Sequence, residues 1–230
     1  KECDWSSDVC SSDLCPEEVY LAERLVAMHP WAEMARFART GGEANAIAIR
    51  IARAATGKSK VAICGYHGWH DWYLAANLGT ENTLAGHLLP GLEPNGVPEN
   101  LRGSVLTFNY NRIDELEALI STNELGAIMM EVSRNFGPED NFLQKVRDLA
   151  TKHGIVLMFD ECTSGFRQTF GGLHKMFGVE PDMAMFGKAL GNGYAITAVL
   201  GKRSVMEAAQ NSFISSTFWT ERIGPRSEEH

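Results

Sequence analysis

Residues 155–161 read Ile-Val-Leu-Met-Phe-Asp-Glu, an apolar run that ends in two acids. Five consecutive apolar residues are typical of a strand that is buried on both faces of a sheet. Ligands bind beyond the carboxyl ends of parallel strands, so the pattern places the carboxylates of Asp160 and Glu161 at a potential binding edge. An acid that only ends a strand remains the alternative for this stretch alone.

Strands alternate with amphipathic helices on both sides of this stretch. The pattern predicts strands at 36–39, 60–65, 105–108, 126–131, 155–160, 183–186 and 195–200, and helices at 16–28, 43–55, 113–120 and 140–153. Residues 74–103 hold five glycines and three prolines, which predicts a long surface loop. The order predicts an α/β domain with a mostly parallel seven-stranded sheet and helices on both faces.

Composition excludes several classes of protein. The 230 residues carry a net charge of −8, which argues against a nucleic-acid partner. No apolar run is long enough for a membrane span, and no export signal begins the chain, so we expect no membrane association and a cytoplasmic location. Five cysteines at irregular spacing predict neither a disulfide framework nor a zinc site.

The two ends differ from the rest. Residues 1–14, KECDWSSDVCSSDL, and residues 226–230, RSEEH, carry no helix or strand period. Both resemble translated sequencing-adapter DNA, with natural disordered tails as the alternative. We therefore expect residues 15–225 to be a partial domain of a longer protein and to be inactive alone.

Two functions use a strand that ends in acids. One is the magnesium-side acid of a P-loop ATPase, and the other is the acid that holds the ring nitrogen of pyridoxal phosphate (PLP). The tripeptide Gly57-Lys58-Ser59 resembles a P-loop, but Ala52 stands where its first glycine should be. It also follows a helix instead of a strand, so Gly57 is better interpreted as a helix C-cap.

A better phosphate site is the turn Thr40-Gly41-Gly42-Glu43, which joins a strand to a helix N-terminus. Free N–H groups point there, and glycines let a phosphate approach. An ordinary glycine turn is the alternative.

Lys188 follows an apolar strand and is flanked by glycines. A buried or half-buried lysine there can form a Schiff base, whereas a solvated lysine in a turn is the alternative. Tyr66-His67-Gly68-Trp69-His70 ends another strand. Its histidine spacing does not match a zinc motif, so we predict no metal, and an aromatic residue here can stack on a flat cofactor.

In order, these motifs resemble those of the class III aminotransferases, PLP enzymes of fold type I. The likeness is greatest to the branch with glutamate-1-semialdehyde 2,1-aminomutase, and it covers about residues 15–225. The motifs that carry it are Thr40-Gly41-Gly42-Glu43-Ala44, Tyr66-His67-Gly68, Glu131, Asp160-Glu161, Gly165-Phe166-Arg167, Lys188 and Thr217.

The resemblance implies a role for each matching residue. Lys188 would form the Schiff base and move a proton on the way to a ketimine, and Asp160 would keep the pyridine nitrogen protonated. The other cofactor contacts would be Thr40, Gly41, Gly42, Tyr66, His67, Glu131, Asn135, Cys162 and Thr217. Thr217 would bind the phosphate of a neighbouring subunit, which implies a homodimer with shared active sites.

Several positions depart from the family pattern. The phosphate turn usually reads S-G-T-E, and Cys162 stands where a valine usually packs on the ring. The stretch from Glu131 to Asn135 lacks the usual proline and is one residue short. The segment 74–103 differs from the aminomutase gating loop, which favours transamination between an amino donor and a carbonyl acceptor. Aminomutase activity and an inactive PLP-fold binding protein are the alternatives.

Overall fold

The computed structural model describes residues 15–79, 83–87, 93–215 and 222–227. Within them a single sheet of seven strands runs in the order β1-β7-β6-β5-β4-β2-β3. The strands are β1 (Met34–Ala38), β2 (Lys60–Cys64), β3 (Val105–Thr107), β4 (Leu125–Met130), β5 (Val156–Asp160), β6 (Met183–Phe186) and β7 (Thr197–Gly201).

The sheet is mostly parallel, as predicted. Only β7 runs against its neighbours, pairing antiparallel with β1 and β6. The other pairs are parallel, and Met158 of β5 lies opposite Met129 of β4 and Met183 of β6. All five residues of β5 are buried, as expected of an apolar run in the middle of such a sheet. Its carboxyl end therefore opens at the same edge as those of β2, β4 and β6.

Helices cover both faces, which confirms the three-layer architecture. The helices are α1 (Pro16–Met28), α2 (Gly41–Thr56), α3 (Asp71–Leu74), α4 (Ile113–Thr122), α5 (Phe142–His153), α6 (Arg203–Met206) and α7 (Ile223–Ser227). On one face α2 packs Ile47 and Ile51 into a core that includes Met158. On the other face α4 and α5 pack against the side of β5 that carries Phe159.

Helix α2 is the element that positions the predicted phosphate turn. Glu43 donates its backbone N–H to Thr40 Oγ1 at 3.2 Å, so Thr40 caps the helix. Gly57 ends it at φ +67, which confirms the predicted C-cap. The helix begins at Gly41, two residues earlier than predicted, because both glycines take helical conformation once Thr40 caps them.

Two expectations about local structure were wrong. Helix α5 begins at Phe142 and not at 140, because Asp140 and Asn141 lie at φ +46 and +58. The segment 74–103 is not simply a surface loop. Its described parts include 3-10 turns over Ala75–Leu78 and Glu99–Leu101, and Leu78 and Val97 pack together in a small core. The apolar residues at the two ends of the segment outweigh its glycines and prolines.

Across the described ranges, no helix is both long and apolar enough to cross a membrane. Residues 1–14 and 228–230 lie outside the described residues, so the predicted foreign origin of the ends stays a prediction.

Candidate active site

A cavity of about 340 Å³ opens at the carboxyl edge of the sheet. The first turn of α2, the segment after β2, the end of β5 and the turn after β6 form its walls. Eight of the eleven residues predicted to contact the cofactor line it: Thr40, Gly41, Gly42, Tyr66, His67, Asp160, Cys162 and Lys188. The structure thus brings together four segments that are far apart in the sequence.

Asp160 lies at the base of the cavity and accepts three hydrogen bonds. Its Oδ2 accepts from Asn45 Nδ2 at 2.8 Å and pairs with His67 Nδ1 at 2.9 Å, and its Oδ1 accepts from the Cys162 N–H at 3.1 Å. Burial alone would raise the pKa of Asp160, but the His67, Cys162 and Asn45 hydrogen bonds outweigh it, and the pKa is lowered. A stable anion therefore faces the cavity.

His67 is buried behind this carboxylate. Its Nδ1 lies next to Asp160, and its Nε2 lies 3.2 Å from the carbonyl oxygen of Cys64. Both ring nitrogens face oxygen atoms, so the ring is held between the carboxylate and the backbone. Asn45 completes the support, since it also donates to the His67 carbonyl oxygen at 3.2 Å. The arrangement holds one carboxylate in one orientation.

The N-terminus of α2 forms a second wall of the cavity. The first N–H groups of a helix have no partner within the helix, and here they belong to Gly41 and Gly42. A Cβ on Gly41 would lie 3.3 Å from the Sγ of Cys162, a tight contact that leaves little space for a side chain at residue 41. Glu43 reaches back to accept from the Arg39 N–H at 2.9 Å, which fixes the start of the helix. This wall suits an anion.

Lys188 stands at the mouth of the cavity. Its side chain is exposed, as in the solvated alternative, and not buried or half-buried. Its Nζ donates to Thr163 Oγ1 at 2.7 Å. Its backbone lies at φ +46, a region that costs a non-glycine residue about 1–3 kcal/mol and that is common at functional sites. The turn therefore holds the amine at a defined position.

Cys162 is buried on the wall between Gly41 and Gly187. Burial raises the pKa of its thiol well above the ordinary value, and the nearby Asp160 charge adds to the effect. The thiol therefore stays neutral, which suits a packing surface better than a nucleophile.

Glu131 and Asn135 do not line this cavity. They lie in a neighbouring pocket of about 160 Å³. Glu131 Oε2 accepts from the Tyr66 N–H at 3.1 Å and from Arg134 at 3.3 Å, and the Arg134 guanidinium lies 5.6 Å from the centre of the Tyr66 ring. Glu131 and Arg134 thus fix the backbone and the ring of Tyr66 from the side of the neighbouring pocket. Thr217 lies outside the described residues.

Sequence reasoning missed three residues in or beside the cavity, Asn45, Thr163 and Arg134, and it gave His70 no role. Asn45 had a usable signal, because it follows Gly41 by four residues and so lies on the same side of α2. Thr163 and Arg134 carried none, since both reach the site only through the folded arrangement of loops.

Comparison with known proteins gives the family of this chain. The family model described as aminotransferase class-III matches residues 9–223. The chain belongs to the class III aminotransferases. The match confirms the resemblance, and it begins within the stretch that we expected to be foreign.

Two curated relatives and one solved structure illustrate the likeness. The 3-aminobutyryl-CoA aminotransferase of Cloacimonas acidaminovorans is 39% identical over 89% of this chain and 47% of the relative. A glutamate-1-semialdehyde 2,1-aminomutase of Methanococcus maripaludis is 38% identical over 83% of this chain and 45% of the relative. The FumI protein of Sphingopyxis sp. MTA144, solved in its PLP internal aldimine form, has a TM-score of 0.80 and 26% identity over 94% of this chain and 50% of that one. The chain spans about half the length of the curated relatives that it matches.

The family and the PLP-bound neighbour indicate pyridoxal phosphate as the cofactor. The cavity fits that group: it pairs a buried carboxylate with a helix N-terminus and a lysine at the mouth. Two buried polar atoms of its lining, Asn45 Oδ1 and His70 Nδ1, have no hydrogen-bond partner within the described ranges. Unpaired buried atoms in a cavity are expected where a ligand completes the site.

Proposed function

We propose that the protein is a PLP-dependent aminotransferase that moves an amino group from a small-molecule donor to a carbonyl acceptor. The observation that carries the proposal is the single cavity that holds Asp160, Lys188 and the N-terminus of α2. These are the three groups that a flat, phosphorylated pyridine aldehyde needs at its nitrogen, its aldehyde carbon and its phosphate.

The cofactor supplies an electron-accepting ring that stabilises negative charge at the substrate carbon. The protein must keep the ring nitrogen protonated, and the negative charge of the Asp160 carboxylate would do this. Its carboxylate keeps its charge through three hydrogen bonds and is too buried for water to compete. A fixed anion in a dry site raises the pKa of a neighbouring pyridinium.

Lys188 would hold the aldehyde carbon and, once substrate releases it, carry the proton that leaves the substrate carbon. The hydrogen bond to Thr163 fixes its Nζ at the mouth of the cavity, where substrate must enter. Tyr66 would stack on one face of the ring, and Cys162 would pack on the other. The N–H groups of Gly41 and Gly42 would bind the phosphate.

The assembly and the location of the protein also belong to this proposal. We expect a homodimer in which Thr217 reaches the phosphate of the neighbouring subunit, and a cytoplasmic protein. Sizing chromatography of the full-length protein checks the first, and a monomer with full activity would contradict it.

A second function is supported by the relatives named glutamate-1-semialdehyde 2,1-aminomutase, at 38% identity. An aminomutase returns the amino group to the same carbon skeleton. The two are separated by incubating the full-length protein with an amino donor and a labelled oxo acid. Label in a new amino acid indicates transamination, and isomerisation of one substrate without an acceptor indicates the mutase.

The proposal is tested by adding PLP to the full-length protein and to its Lys188→Ala variant, with Lys145→Ala as an exposed control. Wild type and control should show the visible absorbance of lysine-linked PLP and should turn over an amino donor. Lys188→Ala should lose both, because no other amine stands at the cavity mouth among the described residues. A wild type that binds PLP but never turns over would favour the inactive binding protein instead.

A further inference from the structure

His70 and Gly42 fit each other at the edge of the cavity. Gly42 is the second residue of α2, in the wall that suits an anion. A Cβ on Gly42 would lie 2.5 Å from Cε1 and 2.6 Å from Nδ1 of His70, closer than real Cβ contacts come. The imidazole thus occupies the space that a side chain at position 42 would need. Class III sequences of the usual S-G-T-E pattern have a threonine there.

The Nδ1 of His70, which lies against Gly42, is a buried polar atom without a hydrogen-bond partner among the described residues. Leaving such a group unpaired costs free energy, and because His70 lines the cavity, a ligand bound there would be its partner. The ring is also held in position, because it stacks on Trp69 with ring centres 4.9 Å apart and an interplanar angle of 29°.

The position of this nitrogen tells which ligand group it would meet. It lies beside the first turn of α2, where the free N–H groups of Gly41 and Gly42 point toward an anion. His70 lines the same cavity as Asp160 and Lys188. An imidazole N–H there would donate to the same phosphate oxygens as the helix, and a protonated ring would add a positive charge.

We propose that His70 is a phosphate-binding residue of this chain, with Nδ1 donating to the cofactor phosphate in place of a hydroxyl at position 42. The inference rests on the proposed function in that PLP is the ligand. It goes further in assigning a contact to a histidine and in explaining why this phosphate turn carries a second glycine. The two residues act together, because Gly42 leaves space for the imidazole and His70 supplies the hydrogen-bond donor for the phosphate.

The test compares PLP with pyridoxal, which lacks the phosphate, in binding to the apo form of the full-length protein. His70→Ala should weaken PLP binding about tenfold or more, the scale of one charge-assisted hydrogen bond, and leave pyridoxal binding unchanged. His70→Phe keeps a ring on Trp69 without a nitrogen and should show the same phosphate-specific loss. His153→Ala, an exposed histidine at the end of α5, is the matched control.

The reciprocal variants test the fit itself. Gly42→Thr should weaken PLP binding, because the new side chain collides with the imidazole. Gly42→Thr combined with His70→Ala should bind PLP more tightly than either single variant, since the hydroxyl then occupies the vacated space. Thermal melting of each apo variant shows whether it is folded.

Each other outcome overturns the inference in a distinguishable way. Unchanged PLP affinity in folded His70→Ala and His70→Phe would remove His70 from the phosphate site and leave the proposed function standing. Equal losses for PLP and pyridoxal would show that His70 only shapes the cavity. A wild type that binds neither ligand would overturn both this inference and the proposed function.

Discussion

Asp160 and Glu161 are neighbours in sequence, yet they serve two different regions of the molecule. Asp160 faces the cavity and pairs with His67, whereas Glu161 points away from it and pairs with His174 at 2.7 Å. Both acids are buried, and hydrogen bonds lower the pKa of each against the opposing effect of burial. The two acids differ in how many of the polar groups around them have a hydrogen-bond partner.

The Glu161 region is a closed network. Glu161 accepts from Ser164, from the Leu173 N–H and twice from His174. His174 Nε2 in turn accepts from Trp31 Nε1 at 2.9 Å. One acceptor and one donor thus lie beside the His174 ring, so both of its nitrogens have a partner. This network joins the end of β5 to the segment after α1.

The Asp160 region is an open network. Both nitrogens of His67 face acceptors, and Asn45 Oδ1 and His70 Nδ1 have no partner in the described part of the chain. Satisfied buried networks stabilise a fold, while incomplete ones in a cavity indicate a ligand site. The contrast teaches that burial and a histidine partner do not by themselves mark an acid as part of a ligand site, whereas a polar cavity beside the acid does.

The largest expected effect comes from Asp160→Asn. An amide has no negative charge with which to stabilise the protonated ring nitrogen. Turnover should therefore fall about a thousandfold, equivalent to ~4 kcal/mol in the activation barrier. The fold should survive, since the Nδ1 of His67 can accept a hydrogen bond from the new amide. Steady-state kinetics of the PLP-saturated full-length protein measures the loss. Near-normal turnover would show that Asp160, like Glu161, has no part in the reaction.

Glu161→Gln should give the opposite result. Its amide group would face backbone N–H groups that now donate to a carboxylate, and leaving buried donors of this kind unpaired costs about 1–3 kcal/mol. We expect a lower free energy of unfolding in urea, with turnover per folded molecule close to wild type. A stable but inactive Glu161→Gln variant would show that the closed network also takes part in the chemistry.

A smaller effect is expected at Glu18, a buried acid of α1 whose Oε2 has no partner among the described residues. Burial raises its pKa from 4.5 to about 7. The folded pKa lies above the unfolded one, so the folded protein loses stability as pH rises from about 4.5 to 7, and the full penalty remains above that. Glu18→Gln should therefore stabilise the protein at pH 8 by about 1–2 kcal/mol and not at pH 4.

Urea denaturation at the two pH values measures this effect, with Glu23→Gln on the exposed side of the same helix as control. An equal gain at both values would mean that the change acts through packing and not through the charge.

Much of the fold could be predicted from the sequence because its signals are local. The apolar run before Asp160, the periodicity of α2 and the glycine at residue 57 each depend on neighbours within a few positions. The direction of β7 was not predicted, since it depends on which strands it lies between. The segment 74–103 was misjudged because Leu78 and Val97 are packed by contacts across the segment.

The candidate site divides in the same way. Residues at or just beyond the carboxyl ends of strands, such as Asp160 and Lys188, were placed at one edge because the edge of a parallel sheet is predictable from the order of elements. The contact of His70 with Gly42 was not predicted, because two residues 28 positions apart in the printed sequence meet only after folding. The exposure of Lys188 was left open, because the sequence of a glycine-rich turn does not fix how far its lysine is buried.

The most direct measurement is to reduce the PLP complex of the full-length protein with borohydride and to locate the modified lysine by peptide mass spectrometry. Because Lys188 Nζ stands at the mouth of the open network, we predict a single pyridoxyl group on Lys188, in wild type and in Asp160→Asn alike. Lys175, which donates to Met28 and Phe170 carbonyls beside the closed network, should stay unmodified. A pyridoxyl group on Lys175 or any other lysine, with none on Lys188, would contradict the account.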